Sequence, residues 1–305
     1  MSIMVFGSLN MDLVVQTPRL PVPGETLLGN QFSTIPGGKG ANQAVAVARQ
    51  EIHTLMFGRV GADGFGQELR HTLATDGVDI SGVQIDPEAH TGVAAIAVSA
   101  QGENHIIVVP GANGKVGISD LQSLQKCFSQ AKLLLMQFEI PISLVIEAAQ
   151  KARAAGITVI LDPAPAQTIN SENWYQNINF LTPNQVEAAQ LVGFSVDTVA
   201  RAIEAAAILR QRGTETVLIK LGDQGVVCST ASDTFHVPAF SVKVVDTVAA
   251  GDAFNGGLAV ALHDGKPLKE SIVWASATAA LSVTQAGAQP SLPSRSQVDA
   301  FLKSN

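Results

Sequence analysis

The densest chemical pattern in this chain is V-V-D-T-V-A-A-G-D-A-F-N-G-G at 244–257. A β-branched run ends at Asp246, small residues tighten through Ala249, Ala250 and Gly251, and Asp252 follows. From there Ala253, Phe254, Leu258, Ala261 and Leu262 recur at helical spacing, so the stretch predicts strand end, tight turn and helix start. Such a turn aims the free N–H groups of residues 249–252 at one point, with the positive end of a helix dipole behind them. An anion fits there. A carboxylate at the lip of an anion site is useful if it takes a proton from a hydroxyl attacking a phosphate, which makes Asp252 a candidate general base. The plainer reading is that Asp252 stabilises the start of its helix.

Other residues offer complementary chemistry. In G-G-K-G-A-N (37–42) the glycines permit close approach of backbone to a ligand, and Lys39 and Asn42 supply donors suited to sugar-like hydroxyls. No Ser or Thr follows the lysine, so this is no P-loop, and a simple strand-to-helix turn is the alternative. In T-P-N-Q-V-E (182–187), Asn184 and Glu187 share one face of a first helical turn. They can order Mg²⁺ through water near phosphates, or they form a capping box. Lys220 to Gly225 (K-L-G-D-Q-G) ends a strand in a turn that either borders a nucleotide or merely closes a hairpin. Asn10, Asp12 and Glu139 follow buried strands, at the carboxyl edge where open α/β sheets bind ligands. Glu139 is either a ligand contact or a helix cap. Asp246 is a carboxylate in an apolar run with only Lys243 as a nearby cation. The loop S-V-T-Q-A-G-A-Q-P-S (282–291) has carbonyls free to turn inward, and Asp246 otherwise caps its own turn.

Strands expected at Ile3–Phe6, Leu133–Gln137, Thr158–Leu161, Phe180–Leu181, Val217–Lys220 and Val226–Ser229 position these groups. Helices at 141–155, 184–192 and 196–212 alternate with them. The rhythm predicts a mostly parallel sheet with helices on both faces, a Rossmann-like α/β fold in one domain over 1–305. Leu13–Gln16, Thr26–Ile35, Gly92–Val98 and His105–Val109 alternate apolar and polar residues. They predict a small β lid inserted from about 12–36 and 91–110. Hydrophobic residues make up 46% of the 305 and charged ones 15%, and the net charge is −7, which disfavours nucleic-acid and anionic-membrane partners. Cys127 and Cys228 show no C-x-x-C and fit a reducing cytoplasm. The M-S-I-M-V-F-G start reads as a first strand, and no apolar run approaches membrane-spanning length. No G-x-S-x-G and no metal-ligand histidine spacing occurs.

Taken with G-S-L-N-M-D (7–12), P-G-E-T (23–26), P-G-A-N (110–113), D-P-A-P-A (162–166) and G-A-Q-P-S (287–291), these stretches resemble the ribokinase-like family of carbohydrate kinases nearly end to end. The resemblance implies ATP-dependent transfer to the 5-hydroxyl of D-ribose, in ribose catabolism in the cytoplasm. It places Asn10, Asp12, Gly38, Lys39, Asn42 and Glu139 against the sugar, Asp252 as base, and Ala249, Ala250 and Gly251 as anion hole. It puts Asn184, Lys220, Gly222, Gly225, Gly251 and Ser276 on the nucleotide side and Glu187 on Mg²⁺ through water. Asp246, Ser291 and the backbone oxygens of Val248, Ser282, Gln285 and Gly287 would hold K⁺. It further implies a homodimer through the β lid. Lys220 and Ser276 stand at positions that vary within the family. Another sugar or nucleoside kinase of the family (for 2-deoxyribose or a ketohexose), or a non-catalytic sugar sensor, are the alternatives, and the presence of Asp252, Gly251 and Asn184 disfavours the sensor.

Overall fold

A computed structural model describes residues 1–167, 169 and 173–305. The chain opens with the fully buried strand β1 (Ser2–Phe6), then β2 (Asn10–Thr17) and β3 (Gln31–Gly37), which feeds helix α1 (Lys39–Ala48). There follow β4 (Thr54–Gly61), α2 (Gly64–Thr75), β5 (Val78–Asp86), β6 (Gly92–Ser99) and β7 (Asn104–Val109). After a short 3₁₀ turn at Gly111–Lys115 come α3 (Ile118–Lys126), β8 (Ala131–Gln137), α4 (Ile142–Ala154), β9 (Thr158–Asp162) and β10 (Phe180–Leu181). Next are α5 (Gln185–Val192), α6 (Val199–Gln211), β11 (Thr216–Lys220), β12 (Val226–Ser229) and β13 (Thr234–Val237). The chain ends with α7 (Ala250–His263), α8 (Leu268–Ser282) and α9 (Arg295–Ser304).

Nine strands form one sheet in the order β13-β12-β11-β10-β9-β8-β1-β4-β5. From β11 to β5 every neighbouring pair is parallel, whereas β11–β12 and β12–β13 are antiparallel. Helices cover both faces, so the parallel strands read as apolar runs such as L-L-L-M in β8, buried throughout. One core lies between the sheet and α3–α6, and the other between the sheet and α1, α2, α7 and α8. The strand order reverses at β1. Chain direction leaves β1 toward β4 on one side and returns through β8 on the other, which opens a crevice at the strands' carboxyl ends.

The second sheet has four strands in the order β3-β2-β6-β7, with β2–β6 parallel and the outer pairs antiparallel. Its edge strand β7 is exposed along its whole length, including Ile106, Ile107, Val108 and Val109.

Several expectations need correction. The strand expected over Thr26–Ile35 begins at Gln31; Leu28 is exposed, and the Asn30 N–H already reaches the Gln16 carbonyl of β2 at 2.7 Å without a ladder before it. Val78–Asp86 and Thr234–Val237 are strands that periodicity did not announce, the first partly buried with polar interruptions and the second a mostly exposed edge. The stretch before Asp246 is no strand. Val244 and Val245 are exposed, and the Val245 N–H reaches the Val283 carbonyl at 2.7 Å. Their β-branched side chains carry β propensity, but the backbone here bonds to Val283 at the end of a helix and not to a strand. Among the described residues no helix is long and apolar enough to cross a membrane.

Candidate active site

The first wall of the crevice is the β3–α1 turn. Gly38 sits at φ 89°, and a Cβ there would lie 2.7 Å from the Asn10 nitrogen, so the turn requires glycine. Gly38 brings no capping side chain to α1. Glu139, arriving from the end of β8, takes that place: its Oε2 accepts the Lys39 N–H at 3.1 Å and the Ser8 hydroxyl. Ser8 in turn accepts the Gly40 N–H at 3.3 Å. A carboxylate at the positive end of α1 is favourable, so Glu139 is a helix cap that also faces the crevice.

Two residues further along α1, Asn42 and Gln43, hold Asp252. Asn42 Nδ2 donates to Asp252 Oδ2 at 2.9 Å, and Gln43 Nε2 donates to Oδ1 at 3.1 Å. Gln43 Nε2 also lies 3.4 Å from Asp162 Oδ2, while its own Oε1 accepts from Gln137 Nε2 at 2.6 Å. Asp252 belongs to the first turn of α7 and is only 4% exposed. The turn before it places Ala249, a non-glycine, at φ 62°. That left-handed conformation costs roughly 1 kcal/mol and sets the angle at which α7 enters. The Ala250 N–H bends back to the Thr247 carbonyl at 3.2 Å, so the anion-facing set is narrower than expected. Among the described residues the N–H groups of Gly251 and Asp252 have no partner.

Lys220 closes the site from β11. Its Nζ donates to Asp162 Oδ1 at 3.0 Å, and a Cβ at Gly251 would lie 3.3 Å from that Nζ. Glycine at 251 therefore lets the ammonium reach the head of α7. Asn184 and Glu187 form the capping box in full: Asn184 Oδ1 accepts the Glu187 N–H at 2.8 Å, and Glu187 Oε2 accepts the Asn184 N–H at 2.7 Å. The helix-capping reading of this pair is correct as far as it goes, and Glu187 is nonetheless buried beside the crevice.

Charge is unbalanced here. Asp12, Glu139, Asp162, Glu187 and Asp252 act electrostatically on one another across the crevice, against Lys39 and Lys220. Burial, then Glu139 and Asp252, push the Asp12 carboxyl up to about 7. Burial raises Asp252 above the usual range, and Asp162 adds to this, against the nearby Lys39 and the Asn42 and Gln43 donors. Burial and Asp162 raise Glu187. Burial alone would lower Lys39; Asp252, Asp162, Glu139 and Glu187 outweigh it and hold the ammonium above its ordinary pKa.

Beyond Lys220 opens a cleft of about 540 Å³ whose lining includes Gly222, Gly225, Gly251, Phe254 and Ser276. Gly225 has φ 92°, and a Cβ there would lie 2.1 Å from the Val237 carbonyl oxygen. The turn also closes the β11–β12 hairpin, since the Leu221 N–H reaches the Gly225 carbonyl at 2.8 Å. Ser276 is buried, and among the described residues its hydroxyl has no partner. Below α7, Asp246 ties two stretches together, accepting the Val248 N–H at 3.0 Å and the Gly287 N–H at 2.9 Å.

The structure thus gathers Asn10, Asp12, Gly38, Lys39, Asn42, Glu139 and Asp252 at the β1–β2–α1 corner. It gathers Lys220, Gly222, Gly225, Gly251 and Ser276 around the cleft, while Asn184 pairs with Lys220 just outside it. Residue-by-residue reading passed over Gln43, Gln137, Ser8, Asn113 and Asp162. Ser8, Asn113 and Asp162 lie inside the quoted motifs and Gln43 directly follows one, but only topology shows that Asp162 and Gln43 meet Asp252.

A buried carboxylate at a helix head, beside open N–H groups and an ammonium, can deprotonate a hydroxyl next to a bound phosphate. The chain matches the pfkB family of carbohydrate kinases over residues 1–295, and it belongs to that family. It is 39% identical to a ribokinase of Haemophilus influenzae across 98% of this chain and 97% of that one. It is 35% identical to a deoxyribokinase of Salmonella typhimurium across the whole of both. The structure of an Arabidopsis thaliana ribokinase complexed with ribose and ATP superposes with a TM-score of 0.91 at 34% identity, over 99% of this chain and 98% of that one.

Proposed function

We propose that the chain transfers the γ-phosphoryl group of ATP to the 5-hydroxyl of D-ribose, giving D-ribose 5-phosphate and ADP. The observation that carries this reading is Asp252, buried at the head of α7, held on both oxygens by Asn42 and Gln43, beside the open N–H groups of Gly251 and its own. The hydroxyl oxygen bonds to the γ-phosphorus, its proton passes to Asp252, and the bond to the β–γ bridging oxygen breaks to release ADP. Phosphoryl transfer needs positioning and charge neutralisation more than covalent chemistry. Asp12, Asn10, Lys39 and Asn42 hold the sugar, the 249–252 turn receives the transferred group, and Lys220 faces the polyphosphate. ATP lies in the cleft lined by Gly222, Gly225 and Ser276.

The mutual repulsion of Asp162 and Glu187, offset in part by Lys220 and Lys39, suits a divalent ion. Mg²⁺ held through water by Glu187 would supply charge neutralisation at the β- and γ-phosphates. Asp246 joined to the 282–287 loop suits a large, weakly hydrated cation. K⁺ held by Asp246, Ser291 and the carbonyls of Val248, Ser282, Gln285 and Gly287 would supply fixed positive charge beside the anion-hole turn. Turnover should be several-fold higher in K⁺ than in Na⁺ at equal ionic strength, and Asp246→Ala should abolish the difference. Full activity without either ion overturns the cation site.

The small sheet acts as a lid that excludes water as a competing acceptor. Its apolar edge strand β7 is the surface a second copy would cover. Sedimentation velocity should give the mass of two chains, and a monomer at micromolar concentration would refute this. The enzyme works in the cytoplasm.

The deoxyribokinase relative supports a second reading at the sugar's 2-position. A pentose, ketohexose and nucleoside panel with ATP, following ADP release, decides between them. Ribose should give the highest kcat/KM; no turnover with any of them would overturn the enzymatic reading.

A further inference from the structure

We propose that Asn113 is a positioning residue for the sugar site: it fixes which end of the Asn10 amide faces the ligand. The inference rests on reading this corner as a sugar site. The Leu9 N–H can only donate, and its partner at 2.9 Å is Asn113 Oδ1. The other arm of the Asn113 amide must therefore be the NH₂ group, with two hydrogens to place. One goes to the Leu9 carbonyl at 2.9 Å and the other to Asn10 Oδ1 at 2.7 Å. Asn10 has to turn its oxygen toward Asn113 and its NH₂ the other way. The orientation of both amides thus follows from one peptide group, with no choice left open. Among the described residues the Asn10 NH₂ has no partner.

Packing leaves the unit no room to flip. Leu9, Asn10 and Asn113 are all buried, and a Cβ at Gly92 would lie 2.3 Å from both Asn10 Oδ1 and Asn113 Nδ2. Asn10 begins β2 two residues before Asp12, opposite Gly37 in register. Asp12 and Glu139 are acceptors when ionised, so an inverted Asn10 would leave this wall without its amide donor. With the donor held outward, Asn10 gives a hydrogen bond to a hydroxyl oxygen that can itself donate to a carboxylate. Asn113 lies in the 3₁₀ turn just after β7, so the polarity of the sugar wall depends on the chain's return from the small sheet.

The test is a double-mutant cycle read on both substrates. Asn113→Ala should raise the KM for ribose about tenfold, the cost of a lost buried hydrogen bond, and leave the KM for ATP within about twofold. Asn10→Ala should have a similar effect, and the double variant should be no worse than Asn10→Ala alone, because Asn113 acts through Asn10. Additive losses, equal losses on ATP, or an unchanged ribose KM would overturn the proposal. Should Asn113→Ala fail to fold, Asn113→Asp keeps the acceptor for the Leu9 N–H and removes the donor. It should raise the ribose KM about tenfold at pH 8, and an unchanged value there overturns the proposal equally. If wild type uses another pentose in place of ribose, the substrate assignment fails, and the same cycle run on that pentose still decides the role of Asn113.

Discussion

The two halves of the crevice are built on different principles. The half carried by α1 and β2 is bonded in advance: Asn10, Asn42, Gln43 and Glu139 each already have a side-chain or backbone partner. The half around Lys220 and Ser276 is a cleft shaped by glycine turns and apolar side chains. A rigid polar wall suits a small polyol, whose hydroxyls differ only in direction, since misplacing one strands a buried partner. An open, largely apolar cleft suits a flat, larger ligand gripped at its charged end. Substitutions should therefore separate by substrate, according to the half they strike.

The largest effect falls where the halves meet. Asp252→Asn is nearly isosteric and should lower kcat by about 10²–10⁴ with little change in either KM, the usual contribution of a positioned base. A variant keeping more than a tenth of wild-type turnover removes Asp252 from that role. On the cleft side, Lys220→Met removes the ammonium bonded to Asp162 and leaves the Asp162–Glu187 repulsion less offset. The KM for ATP should rise about 10–100-fold, as for loss of a buried charged partner, while the ribose KM holds. Equal losses on both substrates would erase the distinction between the halves.

Smaller still is the effect expected at Gln43, which touches both Asp252 and Asp162. Gln43→Met should lower kcat about tenfold, by loss of one hydrogen bond to a charged group. The amide donor favours the ionised base, so its removal raises the Asp252 pKa further. The acid limb of the kcat profile should move to higher pH, and a lower kcat with an unmoved limb would make Gln43 a packing residue only.

Much of this was legible in the sequence, for reasons that differ by residue. The α7 start was readable because small residues, an acid and a helical period adjoin within a few positions. The β3–α1 turn was readable because only glycine tolerates the geometry at Gly38. Asn184 and Glu187 were readable as a pair, but spacing alone could not choose between capping and metal work, and the structure shows the capping bonds. Three things were out of reach. Val244 and Val245 look like a strand because β propensity is local, whereas pairing depends on distant neighbours. Val78–Asp86 escaped because a partly buried strand with polar interruptions has no clean period. The meeting of Gln43, Asp162 and Asp252 spans more than 200 residues and depends on strand order, which no local window contains.

The last contrast between the halves is in stability, and it turns on Asp12. Its carboxyl is raised to about 7, first by burial and then by Glu139 and Asp252. A raised carboxyl binds its proton more tightly in the folded chain than in the unfolded one. Stability therefore falls as pH climbs from about 4, the unfolded value, to about 7, and is no longer affected by this group above that range. The polar wall is thus strained in the free protein at the pH where an ionised acceptor is most useful to a sugar. Asp12→Asn removes the charge while keeping the shape, so it should raise the thermal midpoint of the ligand-free protein at pH 8. The rise should be about 2–4 °C for each kcal/mol of repulsion relieved, and it should vanish at pH 4, where the wild-type carboxyl is protonated. The same substitution should weaken ribose use and leave ATP use intact. A midpoint difference that stays constant from pH 4 to pH 8 would mean that packing, not charge, separates the two proteins, and the strain would have to be sought elsewhere in the wall.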